Sequence, residues 1–300
     1  MLISATPVVL LHLIHGLALA AVAIALLGLA RVVFAHTTTL SSSDELADRA
    51  NPAYAIYLGG FLTGTAIALA GTLFGRNIGD LQSAIGGMLI EGLLLIALLR
   101  LSVLINDRVI LHGFSLEREI SEDQNCGAAF CVAGSCVASG LVLNGALTGY
   151  SANLGLGLRD TFLLWLIGQL VLVGSSWLYR RLGRFDIQQL IEFDNNAAAG
   201  LRFGAFLAGL GLVLRGAVAH ARMTDLQMDA PQTLLLGLGG IVLFVLLYPL
   251  GRRFTLRGQS AEHQVDMYGN MSVSLVDAVV TLSLAGLISQ AIQRVLPYAS

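Results

Sequence analysis

Eight stretches of about twenty mostly apolar residues follow one another along this chain, and that pattern leaves few ways to fold. A helix needs about 20 such residues to cross the hydrocarbon of a bilayer. The stretches fall near 8–34, 53–74, 82–105, 126–149, 161–180, 196–219, 232–251 and 270–293. Charged residues are 12% of the chain and mean hydropathy is +0.77, against roughly 25% charge in a soluble domain. Too few charges are present to cover a water-facing surface, so lipid must cover most of it. The expected fold is an all-α polytopic membrane bundle of about eight transmembrane helices. The first stretch has no basic segment before it and too long an apolar run for a cleaved signal peptide.

The links after the first, third, fifth and seventh stretches are long and polar; the others are short. Arg31, Arg49, Arg100, Arg108, Arg118, Arg180, Arg181, Arg184, Arg252, Arg253 and Arg257 lie in or beside the long links. Only Arg76, Arg159, Arg222 and Arg294 flank the other side. By the positive-inside rule the long links are cytoplasmic and both termini face outward. The net charge of −2 gives no basic footprint for nucleic acid.

An internal repeat emerges on an asparagine that opens each even-numbered stretch: Asn51, Asn125, Asn196 and Asn270. Asparagine can cap a helix by accepting from an exposed backbone N–H, and an acidic residue precedes each one (Asp48, Asp123, Asp194, Asp266), favouring the positive helix end. Gly59, Ala133, Gly204 and Ala278 recur eight places on; Gly71, Gly145 and Gly216 recur twenty places on, where the fourth copy has Gln290. Small residues let helices approach closely in lipid, as Gly60 with Gly64 and Ala205 with Gly209 would. The even-numbered helices are therefore expected inside the bundle and the leucine-rich odd ones toward lipid. Four hairpins entering from one side make two pseudo-symmetric halves, 1–150 and 151–300, related about an axis along the membrane normal. Before the third asparagine, Phe185, Ile187, Leu190, Ile191 and Phe193 fit a short interfacial helix, with a weaker version in FSLEREISEDQN before the second.

QQLIEFDNNAAAGLRFGAFLAG (188–209) resembles the signature of the YjfL family of bacterial inner-membrane proteins, grouped as domain-of-unknown-function family 350, and TFLLWLIGQLVLV (161–173) is similar to its tryptophan-and-glutamine helix. The resemblance implies two fused four-helix units in a bacterial inner membrane and no established activity. It departs in the first half, where Asn51 precedes proline and Asn125 precedes cysteine. Members of that family are often encoded near envelope-stress proteins of the phage-shock type and polyamine-linked ligases, so the resemblance implies an envelope-stress component with a cytoplasmic protein partner.

Ionisable and polar groups within a span are functional candidates because each is costly in hydrocarbon. Glu91 stands near the midplane of the third stretch and Gln169 at a similar depth in the fifth. Arg202 and Asp277 lie six and seven places beyond their asparagines, a matched depth that predicts an ion pair. Arg215 would snorkel to headgroups, and Asn144, at the equivalent offset, would bond across helices. His12 and His15 share one face without a second ligand set. Cys126, Cys131 and Cys136 fit no metal motif. No catalytic motif is present, so neither an enzyme nor a cofactor is expected. Two functions stay open: a conduit for ions or small solutes, or a scaffold docking a cytoplasmic partner through its linkers, either as a single chain or as a homo-oligomer in the bilayer.

The topology predicts that cysteines placed at Ser42 and Ser260, in a background without the native cysteines, resist a membrane-impermeant thiol reagent in intact cells. Labelling there, with protection at the carboxyl end, would reverse the orientation.

Overall fold

The computed structural model describes residues 6–74, 80–111, 115–148, 153–182, 186–219, 229–255 and 260–295. Arg76, Arg184, Phe185, Arg222 and Arg257 lie outside them. Eight helices are long and apolar enough to span a membrane, and the chain is a multi-pass membrane protein. They are α1 (Thr6–Thr37), α2 (Pro52–Phe74), α3 (Leu81–Ile105), α5 (Cys126–Leu147), α6 (Leu154–Leu182), α8 (Ala197–Val218), α9 (Asp229–Thr255) and α11 (Met271–Val295). Three short helices, α4 (Leu116–Ser121), α7 (Ile187–Glu192) and α10 (Ala261–Asp266), and a π-helical turn at Asp44–Asp48 stand in front of the even-numbered spans. Helix α6 begins seven residues before the apolar run, because Asn153 Oδ1 caps it by accepting from Leu156 N at 2.9 Å and Arg159 pairs with Asp160 at 2.7 Å.

Helices α2, α5, α8 and α11 form an inner row in that order. Along it, α2, α5 and α8 meet backbone to backbone. A methyl built on Gly64 would overlap the Cys136 carbonyl, one on Gly140 the Gly64 carbonyl, and one on Gly134 the Gly204 carbonyl. Helix α3 rests on α2 and α5, α6 on α5 and α8, and α9 on α8 and α11, while α1 covers α2 and α3. In α8, 83% of the most apolar window is buried, against 22% in α1 and in α9, so the outer helices carry the lipid-facing surface. Helix α11, at 39%, ends the row and is covered on one side only. The other end explains Gly59, whose added methyl would meet nothing within 4 Å: its counterparts Ala133 and Gly204 face the preceding inner helix, and α2 has none.

The asparagines do more than cap. Each Oδ1 accepts from the N–H three residues on, at Tyr54, Ala128, Ala199 and Val273, over 2.9–3.2 Å. The Nδ2 of the first three donates to a carbonyl in the short helix of the next repeat: Asn51 to Ile120 at 2.7 Å, Asn125 to Ile191 at 2.6 Å and Asn196 to Val265 at 2.9 Å. Glu45, Glu119 and Gln264 also accept from the asparagine of their own repeat. Each asparagine N–H donates to the carbonyl six residues back, at Glu45, Glu119, Leu190 and Gln264. That closure requires a left-handed residue just before it, found at Ala50 (φ 48°), Gln124 (φ 49°), Asn195 (φ 46°) and Gly269 (φ 59°). Left-handed geometry costs a non-glycine residue about 1–2 kcal/mol, so three repeats hold a strained turn to make this joint.

The joint predicts a loss of stability for two replacements at Asn125. Asn125→Asp keeps the cap but loses the donor and faces the Ile191 carbonyl with an acceptor. Both Asn125→Asp and Asn125→Ala should lower stability to chemical unfolding, by about 2–3 kcal/mol for the alanine. An aspartate variant as stable as the wild type would show that only the cap matters.

Candidate functional site

Three charges carried by spans, Arg202, Arg252 and Asp277, collect at the linker end of the second half. Helix α8 carries Arg202 about two turns in, and its Nη2 pairs with Asp266 Oδ1 of α10. Its Nε donates to the Tyr179 hydroxyl of α6 at 3.2 Å. The Arg202 side chain is 5% exposed and that of Asp266 2%, so each depends on the other for compensation. Burial pushes the Asp266 carboxyl above the usual aspartate range, against the pull of Arg202. One turn beyond Tyr248 on α9, Arg252 lies with Nε 3.7 Å from Asp277 Oδ2 of α11 and Nη2 4.0 Å from Glu262 Oε1. Its guanidinium stands 5.5 Å above the Tyr248 ring. The expected Arg202–Asp277 pair is therefore not formed. The two share a depth, but α10 brings Asp266 beneath Arg202, and α9 brings Arg252 to Asp277.

Aromatic rings wall the cluster on the membrane side. Tyr179 packs at 5.0 Å on Phe203 and 4.9 Å on Phe206, and Phe206 at 5.2 Å on Tyr248. Between α6, α8 and α9 they leave a cavity of about 270 Å³, reached by Arg202, Arg252, Tyr248, Asp266 and Glu262 among apolar residues including Leu178, Val245 and Pro249. Arg202 Nη1, Arg252 Nη2 and the Tyr248 hydroxyl have no hydrogen-bond partner.

The remaining candidates lie elsewhere. Gln169, 3% exposed, donates to Ser139 Oγ at 2.9 Å and joins α6 to α5. Asn144 does bond across helices: Nδ2 donates to the Ile67 carbonyl of α2 at 2.8 Å, and Oδ1 accepts from Arg215 Nε of α8 at 2.6 Å. Arg215 thus ties the row together instead of snorkelling. Glu91 is half-buried on α3 and lines neither this cavity nor the groove described below. No group of three metal-ligating side chains occurs among the described residues.

Two matches bear on this geometry. The family described as Domain of Unknown Function (DUF350) matches residues 8–147 and again residues 153–292. The chain belongs to DUF350. It carries the domain twice, consistent with two fused copies. No curated protein and no solved structure matches it. Laid on one another, the two DUF350 copies place Phe34 at Tyr179, Phe61 at Phe206 and Tyr57 at Arg202. The first copy also holds a guanidinium against aromatic rings, but from another helix. Arg100 of α3 lies 5.4 Å over Phe34 and 5.8 Å over Phe61. It donates to the Tyr57 hydroxyl at 3.3 Å and to the Thr37 carbonyl at 2.9 Å. The other charged members of the second-copy site, Arg252, Asp266 and Asp277, stand where the first DUF350 copy has Asp107, Ser121 and Val132.

Sequence reasoning missed Arg100, Tyr179, Tyr248 and Arg252, each at the linker end of a leucine-rich outer helix where a charge reads as a membrane flank. Asp266 was expected to favour a helix end; its signal was its place, four residues before its asparagine where Asp48, Asp123 and Asp194 stand two or three before theirs.

Arg202→Met and Asp266→Leu should each destabilise the protein by roughly 3–5 kcal/mol, because either leaves a buried charge alone. A double-mutant cycle should show strong coupling for this pair and weaker coupling between Arg202→Met and Asp277→Leu. The reverse order would place the partners wrongly.

Proposed function

We propose that this DUF350 protein is a non-enzymatic scaffold of a bacterial inner membrane, with both termini outside and its three short helices and π-helical turn in the cytoplasm, where they dock a protein partner. One observation carries the reading. At the linker end, Phe193 is 74% exposed, Met267 55% and Tyr268 68%, beside an open groove of about 690 Å³ that is lined by Asp186, Asp194, Met267 and Tyr268. Large apolar side chains set around acidic groups suit a partner segment that offers a basic residue next to an apolar one. The asparagine joints support it by holding the short helices as one connected layer, and the backbone-to-backbone contacts of the inner row leave little space for a path along it.

The half-buried Glu91 in mid-span favours the second reading, a conduit for ions or small solutes. One pair of measurements separates the two. A photo-crosslinker in place of Phe193 should capture protein in living cells, and Asp186→Asn with Asp194→Asn should reduce that capture severalfold. Proteoliposomes should pass neither protons nor other cations above background. Adducts to lipid alone would remove the docking face, and a flux abolished by Glu91→Gln would replace the scaffold with the conduit.

A further inference from the structure

We propose that the cavity between α6, α8 and α9 is a binding site for the oxyanion head, carboxylate or phosphate, of an amphiphile whose apolar chain lies between α6 and α9. The docking groove adjoins this cavity and shares Leu190 and Asp266 with it, but Arg202, Tyr248 and Arg252 line the cavity and not the groove.

Three donors carry it. Arg202, Tyr248 and Arg252 line one cavity, and Arg202 Nη1, the Tyr248 hydroxyl and Arg252 Nη2 have no hydrogen-bond partner. Arg202 is 4% exposed and Tyr248 8%, and buried donors in native proteins are nearly always paired. The missing partner must be an acceptor, and two guanidiniums with a phenol suit an oxyanion best. The first copy is the internal comparison. There Arg100 of α3, at the position of Val245, donates to Tyr57 and Thr37, and α1 packs along α3. In the second copy the corresponding helices, α6 and α9, do not pack closely on each other. The cavity there is edged by Leu178, Val245 and Pro249, so it suits a ligand with an apolar chain.

Charge also bears on the fit. Asp266 and Asp277 face Arg202 and Arg252 respectively, which leaves both pairs neutral. Glu262 is the third carboxylate; it is 4.0 Å from Arg252 Nη2 and its side chain is 26% exposed. It is the loosest acceptor in the site and the one an incoming oxyanion would displace.

Binding is tested by calorimetry on the purified full chain in a neutral detergent, with decyl phosphate, decanoate, inorganic phosphate and decyltrimethylammonium as probes. Decyl phosphate and decanoate should bind, while inorganic phosphate and the cationic amphiphile should bind at least tenfold more weakly. Tyr248→Phe, which keeps the ring, should weaken decyl phosphate about tenfold, the worth of one charge-assisted hydrogen bond. Glu262→Gln should tighten it, and Val245→Trp should abolish it by filling the cavity, with unliganded thermal midpoints of all three near that of the wild type. Mass spectrometry of the purified protein distinguishes the sources: an anionic lipid retained by the wild type and lost from Val245→Trp assigns the site to a headgroup, and retention of none assigns it to a free carboxylate or phosphate amphiphile. Inorganic phosphate binding as tightly as decyl phosphate would overturn the amphiphile. Equal binding of the cationic probe, or affinities indifferent to Tyr248→Phe and Val245→Trp, would overturn the site.

Discussion

The bond from one asparagine side chain to the short helix of the next repeat is the interaction on which the rest of this architecture depends. A carboxamide has an acceptor and a donor on one rigid plane, so a single residue can close its own helix and hold its neighbour. At Asn51, Asn125 and Asn196 the acceptor caps the local helix, and the donor crosses to the carbonyl of Ile120, Ile191 or Val265. The joint fixes the height of each inner helix against the next. Only with that height set do the glycines come into register, so that Gly64 meets Cys136 and Gly134 meets Gly204. Van der Waals contact between backbones is a main source of association in lipid, where apolar burial offers no advantage. The left-handed residues before the asparagines are the local strain that this geometry requires.

Because the joint is made of backbone and one carboxamide, the side chains around it are free to differ between copies. Both copies keep an aromatic cluster at the linker end, Phe34 with Phe61 and Tyr179 with Phe206, and both put a guanidinium against it. They supply that guanidinium from different helices. Arg100 comes from the outer layer and finds the Tyr57 hydroxyl and the Thr37 carbonyl. Arg202 comes from the inner row, where Asp266 of the short helix has to compensate it, and further charges gather at Arg252 and Asp277. Around the aromatic cluster, the second copy leaves Arg202 Nη1, the Tyr248 hydroxyl and Arg252 Nη2 without a partner.

Much of the fold is legible in single residues. Glycine and alanine after each asparagine mark the helices that pack inside, and the leucine-rich segments mark those that meet lipid. The sites are less legible. Asn144 and Gln169 were found because a polar side chain within a span has to bond to something, and they do, to Ile67 and Ser139. Arg202 was found for the same reason, yet its partner was misassigned, because equal depth in two helices says nothing about which faces oppose. Tyr179 and Tyr248 sit at the ends of spans, where an aromatic residue is ordinary at a membrane interface, and so carried no signal.

The sequence by itself determined the number of spans, the repeat, the inner and outer roles of the helices and the cap at each inner one. Those properties depend on hydropathy, helix length and residue size, which act locally and can be read one segment at a time. Only the tertiary structure decided which charges meet, that Asn144 bridges α2 and α8, and that a cavity opens between α6, α8 and α9 in the second copy. Those outcomes depend on the rotation of each helix about its axis and on the gap between α6 and α9. Packing across the whole bundle sets both, and no segment carries that information alone.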